Sequence, residues 1–134
     1  MTAAKASAKG KAQGEGHGFR VKRIYEPAAA DDGYRVLVDR LWPRGVAKAK
    51  AHLDEWLKDI APSNDLRHRF HDHPAKWKEF VAAYARELGQ EPAKSAAASL
   101  REKARHEAVT LLYAARDESH NNAVALKEWL ERAH

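Results

Sequence analysis

Two stretches of this chain place charged and hydrogen-bonding residues directly behind apolar runs. In RVLVDRLWPRG, Arg35 to Gly45, the aliphatic Val36, Leu37 and Val38 give way to Asp39, Arg40, Trp42 and Arg44. In VTLLYAARDESHNN, Val109 to Asn122, a second apolar run ends in Arg116, Asp117, Ser119, His120, Asn121 and Asn122. Guanidinium groups hold carboxylates and phosphates through paired, charge-assisted hydrogen bonds. Arg40, Arg44 and Arg116 are therefore candidates for binding a small anion such as a nucleotide or phosphorylated metabolite, with Trp42, Asn121 and Asn122 beside them. Asp39, Asp117 and His120 are the groups suited to proton transfer, because an imidazole titrates at ~6.5 and a carboxylate accepts protons readily once desolvated.

Each of these residues also has an architectural reading. Asp39 and Arg40 can form ion pairs with Arg116 and Asp117, since such networks also gather where strands end. Ser119 or Asn121 suits the N-cap of a following helix. Trp42 either closes the core or, if exposed beside Arg44, offers a ring for stacking. A third group, His68, His71 and His73, has spacing that a metal can use. No cysteine or well-spaced carboxylate completes it, and RHRFHDHP also reads as a solvated turn. Glu55 with Lys58 or Asp59 reads as a solvated helix face. The signatures GxxxxGK[ST], GxGxxG, GxSxG and HExxH are absent, and no motif names a cofactor.

These residues must be positioned by secondary structure. FRVKRIY, Phe19 to Tyr25, reads as a first strand with Val21 inward and Lys22 and Arg23 toward water, ended by Pro27. The link PAAADDG is too short for a helical crossover, so strands one and two are either a wide hairpin or non-adjacent. Leu53, Trp56, Leu57 and Ile60 recur at i, i+3, i+4 and i+7, which predicts an amphipathic helix over 50–60. Ser63 can cap a short helix carrying Leu66 and Phe70, and Asp72 or His73 before Pro74 starts a longer one. That helix bears Trp77, Phe80, Val81, Tyr84 and Leu88 and stops at Gly89. An Ala-rich helix follows from Pro92 to about His106, then a strand at Val109, then a helix over 121–133.

The strands at Val36 and Val109 are apolar enough for burial on both faces, and a long helical excursion separates them. They are expected to be parallel and covered by helices, which predicts a small Rossmann-like α/β domain over 19–134. Ligands of such sheets bind beyond the carboxyl ends of the strands, where both charged stretches would meet beside a helix N-terminus.

With 134 residues, 44% hydrophobic and 32% charged, the chain has the material for one core and a well-solvated surface. It has no cysteine, which excludes disulfides and thiolate chemistry and fits a reducing, cytoplasmic setting. Residues 1–18 read as a disordered basic arm without the apolar region of a secretory signal. No run approaches the ~18 apolar residues of a membrane span. Of the net charge of +5, the arm carries +2, so the domain is only weakly basic and lacks an obvious nucleic-acid footprint.

The segments VKRIYEP, DDGYRVLVDRLWPRGV, LDEWLKDIAPS, FVAAYARELG and VTLLYAARDESHNNAVALKEWL together resemble the YeaO-like branch of the DUF488 family, an uncharacterised bacterial group. The resemblance runs from about Val21 to Leu130 and implies a small Rossmann-like fold and little about function. Asp39 and Arg40 match that family's Asp-Arg strand end. Near its C-terminus the wider family carries cysteines around a polar segment, where this chain has Tyr113, Ala114, Ala115, Arg116 and Asp117, then His120 and Asn121. Chemistry that depends on that thiol does not carry over. Beside the small anionic ligand, two other roles remain open: a nucleic-acid-associated or regulatory module using the arm and Trp42, and an inactive relative serving as a protein-interaction domain.

Overall fold

The computed structural model describes residues 18–70 and 73–132. The arm, Gly18 apart, lies outside the described residues, and so do His71, Asp72 and Ala133. Four strands, β1 (Phe19–Arg23), β2 (Tyr34–Leu37), β3 (Glu55–Trp56) and β4 (Val109–Tyr113), form one parallel sheet in the order β1-β4-β2-β3. Five helices accompany them: α1 (Lys48–Ala51), α2 (Asn64–Phe70), α3 (Trp77–Leu88), α4 (Ala93–Ala104) and α5 (Asn122–Arg132). The architecture is the small α/β arrangement expected from the sequence. No helix among the described residues is long and apolar enough to cross a membrane.

All five residues of β4 are buried, as an unbroken apolar strand between two covered faces must be. Alternate residues supply two cores. Val36, Val38, Val109, Leu111 and Tyr113 pack with Leu66, Tyr84, Leu88, Leu100 and Leu126 from α2 to α5. Leu37 and Leu112 face the other way, against Ile24, Ala51, Trp42, Val46, Leu53 and Trp56. Four helices therefore line one face, while the other is covered by α1 and largely irregular chain.

β1 and β2 both neighbour β4 rather than each other, and the link between them passes β4 without an α-helix. A 3-10 turn at Ala30–Asp32 buries Asp32, whose carboxylate meets Lys22 and Arg35 and whose carbonyl accepts the Thr110 hydroxyl at 2.7 Å. Lys22 is thus only partly turned to water, and Arg23 donates to the Ala114 and Ala115 carbonyls at 3.0 and 2.8 Å. Two N–H groups of β1 are taken by carboxylates, Phe19 by Glu131 and Arg23 by Glu26. That occupies donors with which an unprotected edge strand recruits other chains.

The helix expected over 50–60 does not form. α1 ends at Ala51, His52 takes a left-handed conformation, and the chain then pairs with β2 through Asp54 N–H to Arg35 O and Leu57 N–H to Leu37 O. The helical spacing of the apolar residues is divided between two cores: Leu53 and Trp56 serve one face of the sheet, Leu57 and Ile60 the other. The chain crosses the sheet edge here, so tertiary packing overrides the local period. Ser63 caps α2 as expected, its Oγ accepting the Leu66 N–H at 3.1 Å. α4 and α5 fall close to their expected bounds, whereas α3 begins at Trp77, after a 3-10 turn at Pro74–Lys76, rather than at Pro74.

Candidate functional site

Because β1, β4 and β2 are parallel neighbours, their carboxyl ends share one edge, and Tyr25, Arg116 and Asp39 follow them there. Asp39 is the knot of this edge. Its Oδ2 accepts the Ala114 N–H at 2.9 Å and its Oδ1 accepts Asn122 Nδ2 at 3.1 Å, while its carbonyl accepts Trp56 Nε1 at 2.8 Å. Asn122 Nδ2 also reaches the Val38 carbonyl at 3.0 Å. One carboxylate thus joins the ends of β2 and β4 to the first turn of α5. Burial pushes the Asp39 carboxyl above its ordinary value, against the opposing influence of Asn122, the Ala114 N–H and Arg67.

Arg40 turns away from the edge. Its Nε donates to the Pro62 carbonyl and its Nη2 to the Ala61 carbonyl, both at 3.0 Å, tying the loop after β2 to the start of α2. Trp42 is half-buried and donates Nε1 to the Val46 carbonyl at 2.7 Å. Its ring packs edge-on against Trp56 at 5.2 Å, with Lys48 Nζ 5.6 Å from its centroid. It closes the second core and is not an open stacking platform.

Beyond β4, Asp117 Oδ1 accepts the N–H groups of Ser119 and His120, each at 2.9 Å. Those two donors, His120 first, hold its carboxyl below the ordinary range. The His120 ring lies 3.5 Å from Asp117 Oδ2 and packs on Trp77 at 5.0 Å between centroids. Asn121, rather than Ser119, caps α5: its Oδ1 accepts the Val124 N–H at 2.9 Å and its Nδ2 donates to the Asp117 carbonyl. It is buried, so it serves the helix end.

The ion pairs between Asp39 or Arg40 and Arg116 or Asp117 are not formed; Asp39 is held by amides and Arg40 by carbonyls. Arg44 and Arg116 are exposed, and neither side chain has a hydrogen-bond or ion-pair partner among the described residues. Of the histidine group, His68 and His73 are exposed and His71 lies outside the described residues. No three metal-ligating side chains gather among the described residues. Hollows lie elsewhere among the described residues, an open one along Ser99, Glu102, Lys103 and His106 and a narrow one between α3 and α5 at Tyr84, Leu88 and Trp129.

Sequence reading missed Tyr25 and Arg23. The Tyr25 hydroxyl donates to the Arg44 carbonyl at 2.8 Å, and the Arg23 guanidinium stacks on its ring 4.7 Å from the centroid. Tyr25 is 45% exposed, one of two large apolar side chains open to solvent among the described residues, with Leu41 at 59%. Its place at the strand end became a signal only once β1 proved parallel to β4.

A small parallel α/β domain with a tethered Asp-Arg pair after its second strand is the class this fold and edge define. The chain belongs to the DUF488 family, and specifically to the group described as the inactive DUF488-N3 subclade, whose family model matches residues 18–134. It is 44% identical over 112 residues to the uncharacterised protein YeaO of Escherichia coli (strain K12), covering 84% of this chain and 96% of that one. The uncharacterised proteins Rv3073c of Mycobacterium tuberculosis (strain ATCC 25618 / H37Rv) and Mb3100c of Mycobacterium bovis (strain ATCC BAA-935 / AF2122/97) are each 40% identical over 111 residues, covering 83% of this chain and 92% of theirs. No solved structure matches the chain.

Proposed function

We propose that this chain is a cytoplasmic binding domain that holds an anionic, phosphate-bearing ligand at the carboxyl edge of its sheet without turning it over. The observation that carries this reading is the contrast at that edge: Arg40 and Asp39 are committed to the fold, while the Arg44 and Arg116 guanidiniums have no side-chain partner among the described residues. Exposed guanidiniums suit phosphate oxygens, which accept in the paired geometry they present. Binding without turnover is supported by the engagement of both Asp39 oxygens, by the absence of any thiol, and by the description of the subclade as inactive. Asp117 and His120 are the remaining proton-transfer candidates, but their contacts order the turn into α5.

The test is a thermal-shift series with orthophosphate, tripolyphosphate and ADP against the wild type, Arg44→Ala and Arg116→Ala. A ligand at about 100 times its Kd adds about 2.7 kcal/mol of stability, enough to raise the midpoint by several degrees. The expected result is a rise in the wild type that both variants reduce. Equal shifts in all three proteins, or none with any anion, would overturn the proposal.

A further inference from the structure

The ligand's class follows from Tyr25. We propose that the carboxyl edge takes single-stranded nucleic acid, with one base stacked on the open face of Tyr25 and the flanking phosphates on Arg44 and Arg116. This rests on the anion-binding reading above and goes beyond it by requiring a base.

Three contacts fix the platform. The Tyr25 hydroxyl is anchored to the Arg44 carbonyl at 2.8 Å, so the ring cannot swing freely. One side of the ring carries the Arg23 guanidinium, which polarises it, and 45% of the residue remains exposed for a second partner. Arg23 in turn donates to the Ala115 carbonyl at 2.8 Å, which places the residue before Arg116 against the same group. A held aromatic ring thus stands against the Arg44 backbone and, through Arg23, beside the segment that leads into Arg116, and both arginines are exposed. That is the arrangement by which proteins hold single strands: the ring receives a base of any sequence and the cations follow the backbone.

Tyr25, Arg44 and Arg116 are all exposed at the edge, and neither the hollow along α4 nor the one between α3 and α5 includes them. Pockets that retain a small molecule bury most of its surface, whereas these three side chains lie open to solvent. A mononucleotide would gain one stack and little else, whereas a strand adds neighbouring phosphates at the same time. Glu26 and Glu118 lie close enough to influence the Tyr113 hydroxyl, so the edge is mixed in charge and sequence-independent attraction is modest.

The experiment is fluorescence anisotropy of the full chain with labelled oligo(dT) of about 12 nucleotides, a length within single-domain site sizes. An abasic oligomer of equal length, AMP and tripolyphosphate serve as comparators, and the arm is constant throughout. Tyr25→Ala is expected to weaken oligo(dT) about tenfold, while Tyr25→Phe, which keeps the ring, stays near wild type. The abasic oligomer should bind more weakly and be indifferent to Tyr25→Ala. Arg44→Ala and Arg116→Ala should each flatten the log–log salt slope by about 0.7, the value for one single-strand phosphate. If the abasic oligomer matches oligo(dT), or Tyr25→Ala has no effect, the base-stacking proposal falls while the anion-binding reading stands. AMP competing as well as oligo(dT) overturns the strand in favour of a mononucleotide. Binding of neither oligomer nor tripolyphosphate removes both readings.

Discussion

Arg40 and Arg44 stand four residues apart in one loop and do different work. Arg40 donates two charge-assisted hydrogen bonds to the Ala61 and Pro62 carbonyls, whereas the exposed Arg44 side chain has no hydrogen-bond or ion-pair partner among the described residues. Arg40→Ala is therefore expected to lower stability by about 2 kcal/mol, because two carbonyls lose a charged donor. Arg44→Ala and Arg116→Ala should each change it by less than about 0.5 kcal/mol, as substitutions of exposed, unpaired side chains do. Urea unfolding of the three variants checks the contrast, and equal effects would contradict it. The residue types that gather at the edge were legible in DRLWPRG and RDESHNN. Their partners were not, because a guanidinium reads the same in sequence whether it meets a ligand or a backbone carbonyl on another loop.

At the scale of elements, a close backbone approach lies where the link from β1 enters β2. Gly33 has φ 68° and ψ −132°, and a Cβ there would stand 2.3 Å from the Ala108 carbonyl oxygen. That carbonyl is held in place by the Tyr34 N–H at 2.8 Å, so it cannot simply retreat. Gly33→Ala is expected to cost more than about 2 kcal/mol, from backbone strain and displacement of the β2–β4 pairing. A shift in urea midpoint worth under about 0.5 kcal/mol would mean that the turn can move. Helices α3 and α5 could be read from their apolar stripes and stop signals. The segment 50–60 could not, since its apolar side chains serve opposite faces of the sheet and only the crossing of the edge makes sense of their order.

For the molecule as a whole, a buried carboxylate, Asp32, and a half-buried one, Asp39, pull stability in opposite directions with pH. Burial alone would raise the Asp32 carboxyl, but the Ala29 N–H, Lys22 and Arg35 outweigh it and leave it below the ordinary 3.8. Its contribution is therefore present above 3.8 and is lost as the pH falls through its lower folded value. Asp39 is raised, chiefly by burial, so its contribution is greatest below 3.8 and is lost as the pH rises through its folded value. Relative to wild type, Asp32→Asn should flatten the loss of stability at the acid end. Asp39→Asn should instead remove a decline on the side above 3.8. Urea midpoints measured from strongly acid to neutral pH distinguish the two, and identical profiles for both variants would refute the assignment.

The sequence by itself determined the class of fold, because continuous apolar strands at Val36 and Val109 need cover on both faces and the stretch between them can supply it. It also determined which residues would follow the strands at Val36 and Val109, since the long excursion between those two runs pointed to parallel pairing. Only the tertiary structure decided what those residues do there. Strand order put β1 beside β4 and brought Tyr25 to the edge, burial turned Asp39 into a knot of backbone and amide hydrogen bonds, and the loop after β2 carried Arg40 inward. Side chains of one type acquire different roles from the groups that folding brings within hydrogen-bonding distance, and those groups lie far away along the chain.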